Sequence, residues 1–249
     1  GKVPPSNILA SAPSDKNLEG WRVSGAGGAD GLGVLLWGST LVFLATKPHV
    51  LPGVLEEIRP AVESHHIVVS LVAGVTIQTL QRLLPPWTKV LRIMPNLPCV
   101  VQAGAMVFSR GPSAGDEESS LLQDLLSCFP TCPGGSGGPS WLWAHPSVPP
   151  SVPPSLAQVY LFAEALAEGA VKMGMPGALA SRIAAQTLLG AAKMLLETGE
   201  HPAKLRGDVC TPGGTTIHAL HQLEKGALRA TVMNAVEAAT KRACDMAKD

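Results

Sequence analysis

A loop that runs directly into a helix carries the clearest chemistry in this chain. Residues Asp208-Val209-Cys210-Thr211-Pro212-Gly213-Gly214-Thr215-Thr216-Ile217-His218-Ala219-Leu220 tighten over Pro212-Gly213-Gly214 and then adopt a helical apolar period. Glycines without a Cβ let backbone approach a ligand closely. Thr215 and Thr216 fall where a helix N-cap belongs. A helix start leaves backbone N–H groups unpaired and pointing outward, with the positive end of the dipole behind them. That arrangement suits a small carboxylate or a phosphate. A Gly-rich turn followed by an ordinary cap accounts for the same residues without any ligand.

A second set of candidates sits at strand ends. Ile8-Leu9-Ala10 is a short apolar run that ends at Ser11-Ala12-Pro13-Ser14-Asp15-Lys16. Thr40–Thr46, Ile67–Val72, Lys89–Met94 and Ala105–Ser109 read as further strands, three of them nearly continuous apolar runs of the kind buried on both faces. Helices are expected at Val50–Val62, opened by Lys47-Pro48-His49, at Ile77–Leu84 behind Thr76 as N-cap, and at Asp116–Cys128. Strands alternating with helices imply a parallel, doubly wound sheet. In such sheets ligands lie beyond the carboxyl ends of the strands. Ala45, Thr46, Lys47 and Pro48, then Val72, Ala73 and Gly74, then Asn96 all fall at those ends.

From Leu156 the pattern is helical throughout. Helices are expected over Leu156–Met173 with Gly174 as C-cap, Ala178–Glu197 closed by Gly199, Ala203–Arg206, Thr216–Lys225 with Gly226 as a break, and Leu228–Ala247. The long Ala/Leu-rich helix is apolar on too many faces for a monomer surface, which points to self-association.

Composition narrows the classes. The 249 residues are 46% hydrophobic and 15% charged, with 19 basic and 19 acidic side chains. That describes a globular chain with a sizeable core, and nothing suggests a nucleic-acid groove or a membrane surface as partner. No apolar run reaches the roughly 18 residues that span a bilayer. The five cysteines are scattered and odd in number, against a secreted disulfide framework. Cys128-x-x-x-Cys132 lacks a second pair, so no metal site is expected. With no signal-like segment, a soluble cytoplasmic protein is the expectation.

Two stretches stand apart. In Glu19–Gly38, SGAGGADGLG resembles a phosphate loop, but counting G-x-G-x-x-G from Gly25 puts Asp30 where the third glycine belongs. A carboxylate there repels pyrophosphate, and a loop is expected instead. Residues 129–155 are rich in Pro, Gly, Ser and Trp, with the repeat Ser147-Val148-Pro149-Pro150-Ser151-Val152-Pro153-Pro154-Ser155, and read as a linker. Four of the five tryptophans fall in these two stretches, and the rest of the chain is aromatic-poor.

The sequence TPGGTTIHALHQLE, preceded by AQTLLGAAKMLLETGEHPAKLRGDVC and followed by ALRATVMNAVEAATKRA, closely resembles the C-terminal domain of pyrroline-5-carboxylate reductase. The resemblance runs over 156–247 and resumes over 7–18 and 40–128, where ATKPH, VAGVT and MPNLP carry it. It implies an α/β dinucleotide-binding (Rossmann-like, incomplete) domain over 1–128, the segment 129–155, and an all-α dimerisation and substrate domain over 156–249. It further implies reduction of 1-pyrroline-5-carboxylate to L-proline with NADPH or NADH, by a dimer that builds a larger homo-oligomer.

In that resemblance Ser11 and Pro13, the strand-end loops Ala45–Pro48 and Val72–Gly74, Asn96 and Asp208 hold the cofactor, with Asp208 near the nicotinamide amide. Gly213, Gly214, Thr215 and Thr216 hold the substrate, and Thr216 is the catalytic hydroxyl aimed at the ring nitrogen. Ser11, Ser14 and Lys16 at the tip of the second strand favour NADPH, since hydroxyl and basic groups suit a 2′-phosphate. His218 and His221 are expected as packing or surface residues.

Two family elements are absent from this sequence: the opening strand with its Gly-rich turn, and the Gly-Ser-Gly segment that starts the first C-terminal helix. Without the central strand, two rows of buried backbone groups lose partners at roughly 1–3 kcal/mol each. A non-catalytic chain that keeps only the helical oligomerisation module is the alternative of another class. A related imine or hydroxyacid dehydrogenase is a third reading, disfavoured by the TPGGTT loop.

Overall fold

The computed structural model describes residues 3–12, 15–28, 32–126, 142–143 and 156–246. It divides into two compact units, one holding all the strands and the first five helices, the other holding the C-terminal helices up to Lys241. In chain order the first unit contains β1 (Leu9–Ala10), α1 (Asp15–Val23), β2 (Gly27–Gly28), α2 (Leu32–Trp37), β3 (Leu41–Leu44), α3 (Leu51–Ile58), β4 (Ile67–Ser70), α4 (Ile77–Leu83), β5 (Lys89–Pro95), β6 (Met106–Arg110), α5 (Asp116–Leu126) and β7 (Leu142–Trp143). Pro13, Ser14 and most of 129–155 lie outside the described residues.

The main sheet has the order β3-β4-β5-β6-β7. Strands β3, β4 and β5 are parallel and share one register, with Leu41, Ile67 and Lys89 level at one end and Leu44, Ser70 and Arg92 level at the other. All four residues of β4 are buried, as a both-faces-covered strand requires. Alternation divides the core in two. Val42, Leu44, Val68 and Val90 pack under Leu36, Leu51, Leu55, Ile58 and Leu80 from the helices of one face. Ile67, Val69, Leu91 and Ile93 pack with Phe108 and with Leu122 of α5.

The fully parallel expectation fails at β6, which runs antiparallel to β5. The connecting residues, 96–105, hold only a 3-10 turn, and a parallel return needs a crossover of about a dozen residues or more. Helix α3 also differs from the reading in its bounds. Residues 47–50 form a turn, with the Val50 and Leu51 N–H groups both donating to the Lys47 carbonyl. The helical ladder then stops at Ile58 and gives way to a 3-10 turn over Arg59–Ala61, where Pro60 has no N–H to donate. Thr76 caps α4 as expected, its hydroxyl accepting from the Thr79 N–H at 3.1 Å.

The loop expected over Glu19–Gly38 is corrected by the fold. α1 extends to Val23, and β2 pairs parallel with β1 through Leu9↔Gly27 and Ala10↔Gly28. α2 then buries Leu36 against the main core. A Cβ on Gly27 would come within 2.8 Å of Leu9 Cδ2, the far end of a side chain that would have to turn aside. A strand made of two glycines offers no alternation to read. Within the stretch read as a linker, Leu142–Trp143 forms β7 and pairs with Val107 and Phe108. Among the described residues no ladder joins β1 to β3, so each keeps one edge outside the pairing.

Polar groups inside this unit are committed to particular partners. His66 is 2% exposed; its Nδ1 accepts from the Glu63 N–H at 2.8 Å, and its Nε2–H donates to the Leu36 carbonyl at 3.0 Å. One imidazole thus ties the end of α2 to the turn before β4. Lys89 lies 2.7 Å from Glu118, which also accepts from the Gly115 N–H. The lysine first, then that N–H, hold the Glu118 carboxyl below the usual carboxylate range.

The second unit comprises α6 (Leu156–Lys172), α7 (Gly177–Thr198), α8 (Pro202–Asp208), α9 (Thr215–Lys225) and α10 (Leu228–Met246). The helical reading holds to within about two residues at each end. Gly174 and Gly199 take positive φ at the ends of α6 and α7, as glycine after a helix does. Past α9 the left-handed residue is Ala227, φ 54°, and not Gly226. α6 packs along α7, yet of the residues of α7 only Ala180 and Ala184 are buried.

Substituting His66→Leu keeps the bulk but strands the Leu36 carbonyl and the Glu63 N–H. It is expected to lower unfolding free energy by about 2–4 kcal/mol, read as a lower urea midpoint at unchanged slope. An unchanged midpoint would refute the tie.

Candidate functional site

Within the first unit, the shared register brings two of the strand-end loops to one level. Leu44 and Ser70 stand side by side, and the Leu71 N–H closes on the Leu44 carbonyl at 2.9 Å. The chain therefore leaves β3 through Ala45–Pro48 and β4 through Leu71–Gly74 at the same height. Ala45, Lys47 and Pro48 are exposed, while Thr46 is half-buried with a sealed Oγ1 that has no hydrogen-bond partner. A buried hydroxyl without a partner is costly, so Thr46 is the polar group at this strand end that the described residues leave unanswered. Val72 is buried and its N–H donates to Ser70 Oγ at 3.2 Å, which sets the turn that exposes Ala73. Gly74 follows with φ 73°, a conformation that disfavours any side chain.

β5 runs on past this level to Pro95, and Asn96 leaves it at the end of the β5–β6 pair. Its Oδ1 accepts from the Ala105 N–H at 2.8 Å and its own N–H donates to the Ala105 carbonyl. Asn96 thereby clamps the neck of the 96–105 loop. Gly104 sits so close under Cys99 that a Cβ there would overlap the Cys99 backbone and sulfur. Ser11 follows β1 and is half-buried. Pro13, its companion in the sequence reading, lies outside the described residues.

Arg92 was not singled out by its sequence, although an arginine inside the apolar run of β5 is the signal that could have found it. It is 7% exposed, and its Nε and Nη2 have no hydrogen-bond partner. Burial pushes its guanidinium pKa down, though an arginine stays protonated regardless.

The second unit holds the other candidates. Asp208 ends α8, exposed, with its carboxylate 3.3 Å from the Lys204 ammonium one turn back. The loop then tightens as the Gly214 N–H donates to the Thr211 carbonyl at 3.0 Å. Gly213 takes φ 67°. The N-cap of α9 is Gly214, one position earlier than the threonines expected there, so Thr215 and Thr216 are the first two helical residues. A Cβ on Gly214 would overlap Thr211 Oγ1 and press on the Thr211 carbonyl at 3.1 Å. No side chain caps the helix. The first-turn N–H groups of an eleven-residue helix thus have no side-chain acceptor of their own. His218, exposed as expected, donates from Nδ1 to the Gly214 carbonyl at 2.9 Å and so braces the loop.

A mixed sheet whose three parallel strands end in level loops, joined in one chain to an all-helical unit with an open helix start, defines a two-part protein of the dinucleotide-binding class. Comparison with known proteins narrows this. Residues 154–246 match the family model for pyrroline-5-carboxylate reductase dimerisation. The chain is 54% identical over 248 residues to pyrroline-5-carboxylate reductase 3 of Xenopus laevis, covering 100% of this chain and 89% of that protein. The Bos taurus protein of the same name is 54% identical over 249 residues, covering 100% and 79%. Among solved structures, a pyrroline-5-carboxylate reductase from Coxiella burnetii superposes with TM-score 0.86 at 28% identity, covering 98% of this chain and 90% of that one. The Plasmodium falciparum pyrroline carboxylate reductase with NADP bound gives 0.83 at 25% identity, covering 98% and 88%. The chain belongs to the pyrroline-5-carboxylate reductase family. The full-length alignments run through 19–38 and 129–155, the two stretches that carried no resemblance by motif.

Gly213 has open space where a Cβ would go, so only its backbone conformation resists substitution. Gly213→Ala should cost about 1–2 kcal/mol, and Gly213→Asn clearly less, because asparagine tolerates the left-handed region. Equal losses for the two variants in thermal unfolding would count against the loop geometry.

Proposed function

We propose that this chain reduces 1-pyrroline-5-carboxylate to L-proline with NAD(P)H, with cofactor bound by the α/β unit and substrate carboxylate bound at the start of α9. The single observation that carries the substrate assignment is the uncapped helix start behind Gly213-Gly214, in a chain 54% identical to a named reductase. The nicotinamide, when bound, supplies a hydride to the imine carbon.

The chain's own residues have modest tasks, because a protonated imine is already electrophilic. The N–H groups of Thr215 and Thr216 take the substrate carboxylate, charge-assisted and backed by the helix dipole. The Thr216 hydroxyl hydrogen-bonds the ring nitrogen and orients it. Gly213 and Gly214 keep the approach free of side chains. Thr46 lies in the strand-end loop that meets the cofactor, with the exposed Ala45, Lys47 and Pro48 around it. Val72, Ala73, Gly74 and Asn96 shape the neighbouring strand ends. Ser11, with Pro13 beyond the described residues, belongs to the ribose end, and the absence of an acidic residue at Ser11 favours NADPH over NADH. Asp208 is assigned to the nicotinamide amide by the family resemblance.

The helical unit works as a homodimer, and dimers build a larger assembly in the cytoplasm. Leu161, Met173 and Met233 are 67%, 84% and 70% exposed in the single chain, an amount of bare apolar surface that a soluble monomer does not carry. Among the described residues no helix is long and apolar enough to cross a membrane.

Two outcomes follow. Thr216→Val should lower kcat by about 10- to 100-fold, the loss of one hydrogen bond to a charged group, while NADPH affinity by fluorescence titration stays put. Wild-type turnover in that variant would remove Thr216 from the chemistry. In light scattering at micromolar concentration, the chain should have at least twice its monomer mass, and Leu161→Glu with Met233→Glu should reduce it. A wild-type monomer would sink the dimer.

A further inference from the structure

Arg92 holds a buried positive charge that no carboxylate among the described residues answers. It lies on β5 between Ser70 of β4 and Ser109 of β6, its direct register partners. By alternation it shares a sheet face with Val90, which packs against Leu80 and Leu84 around α4. Only 7% of the residue is exposed, and two of its three nitrogens are sealed without a partner. A buried charge left unpaired costs several kcal/mol, so proteins rarely keep one without use.

Among the described residues the carboxylates of the surrounding elements are exposed or engaged. β4, α4 and β6 contain no Asp or Glu. On α3, Glu56 and Glu57 face solvent. On α5, which packs on the opposite face, Glu118 is bound by Lys89, Asp116 by Arg110, and Glu117 and Asp124 are exposed. Residues 127–155, which supply the neighbour of β6, include no acidic residue at all.

Position points to the source of the missing charge. Arg92 is level with Leu44 and Ser70, the last residues of β3 and β4. Two residues further along those chains stand Thr46, with its own unpartnered hydroxyl, and Val72. With the spacing between strands included, Val72 on the adjacent strand is about 8 Å away, near the reach of an extended arginine, and Thr46, two strands over, about 12 Å. We propose that Arg92 is an oxyanion-binding residue, whose free donors take a phosphate or carboxylate oxygen delivered from the carboxyl ends of β3 and β4. This rests on the reading of those loops as a ligand crevice, and gives that crevice a buried charge that selects anionic ligands.

The test compares the wild-type chain with Arg92→Met and Arg92→Lys in buffer free of phosphate and sulfate. Thermal shift is measured with inorganic phosphate, NADPH, NADH and L-proline as separate probes. Without a ligand, Arg92→Met should melt no lower than wild type, because the charge it removes had no partner; loss of a structural brace would do the opposite. At least one probe should bind Arg92→Met on the order of tenfold or more weakly, with Arg92→Lys between.

The identity of the affected probe names the source. NADPH alone marks the 2′-phosphate, both nucleotides mark the diphosphate, and L-proline marks the substrate carboxylate. If all four bind Arg92→Met as they bind wild type, the proposal is overturned, and a phosphate response equal in both proteins is adventitious. If neither nucleotide binds the wild type, the cofactor reading fails, and the phosphate and L-proline arms still decide Arg92.

Discussion

The register of three parallel strands is the constraint on which the first unit depends. Buried backbone must be paired, so β4, covered on both faces, needs β3 and β5 at its two edges without slippage. The pairing sets Leu44, Ser70 and Arg92 in one row. Once that row is set, Ala45–Pro48 and Leu71–Gly74 have to leave the sheet together. The loops are brought side by side by ladder geometry, with no contact of their own required. A one-residue slip would turn Val42, Leu44, Val68 and Val90 out of the core, so the same hydrophobic term that stabilises the sheet keeps the loops level.

Such a constraint is legible where side chains report it. The runs at 41–44, 67–70 and 89–95 are apolar enough to announce buried strands, and Thr76 declares the start of α4 through a hydroxyl that caps it. The C-terminal helices announce themselves by period and by Gly174 and Gly199 at their ends. What escaped the reading is coded in backbone. β2 is two glycines, whose pairing with Leu9 and Ala10 leaves no pattern to see. The antiparallel turn of β6 depends on the length of 96–105, which a strand-by-strand reading does not weigh. The helix start at α9 was read one residue late for a related reason. Threonines are the better caps in general, but Gly214 is the residue that can stand against Thr211.

The helical unit obeys a different economy. Its helices are long and regular, yet α6 and α7 meet over small residues and leave Tyr160, Leu161, Leu189 and Leu196 largely bare. Helix propensity alone does not hold such elements together in water. Residues 154–246 match the family model for pyrroline-5-carboxylate reductase dimerisation. In the proposed dimer that bare area is covered, and stability and assembly become coupled, so dilution weakens both.

The two proposed ligand-binding arrangements share one physical device and differ in how they hold charge. At α9 the donors are backbone N–H groups, fixed by Gly213 and Gly214 and needing no side chain beyond the threonines. Their partial charge costs little to keep exposed, because water solvates an open helix start in the absence of substrate. In the sheet the corresponding charge is a whole guanidinium, 7% exposed and with two of its three nitrogens sealed, where water offsets little of it. The first arrangement tolerates being free of ligand, and the second is relieved by an anion. On the proposed roles, an anion bound at Arg92 offsets a buried charge, whereas the helix start releases its ligand without leaving a buried charge behind.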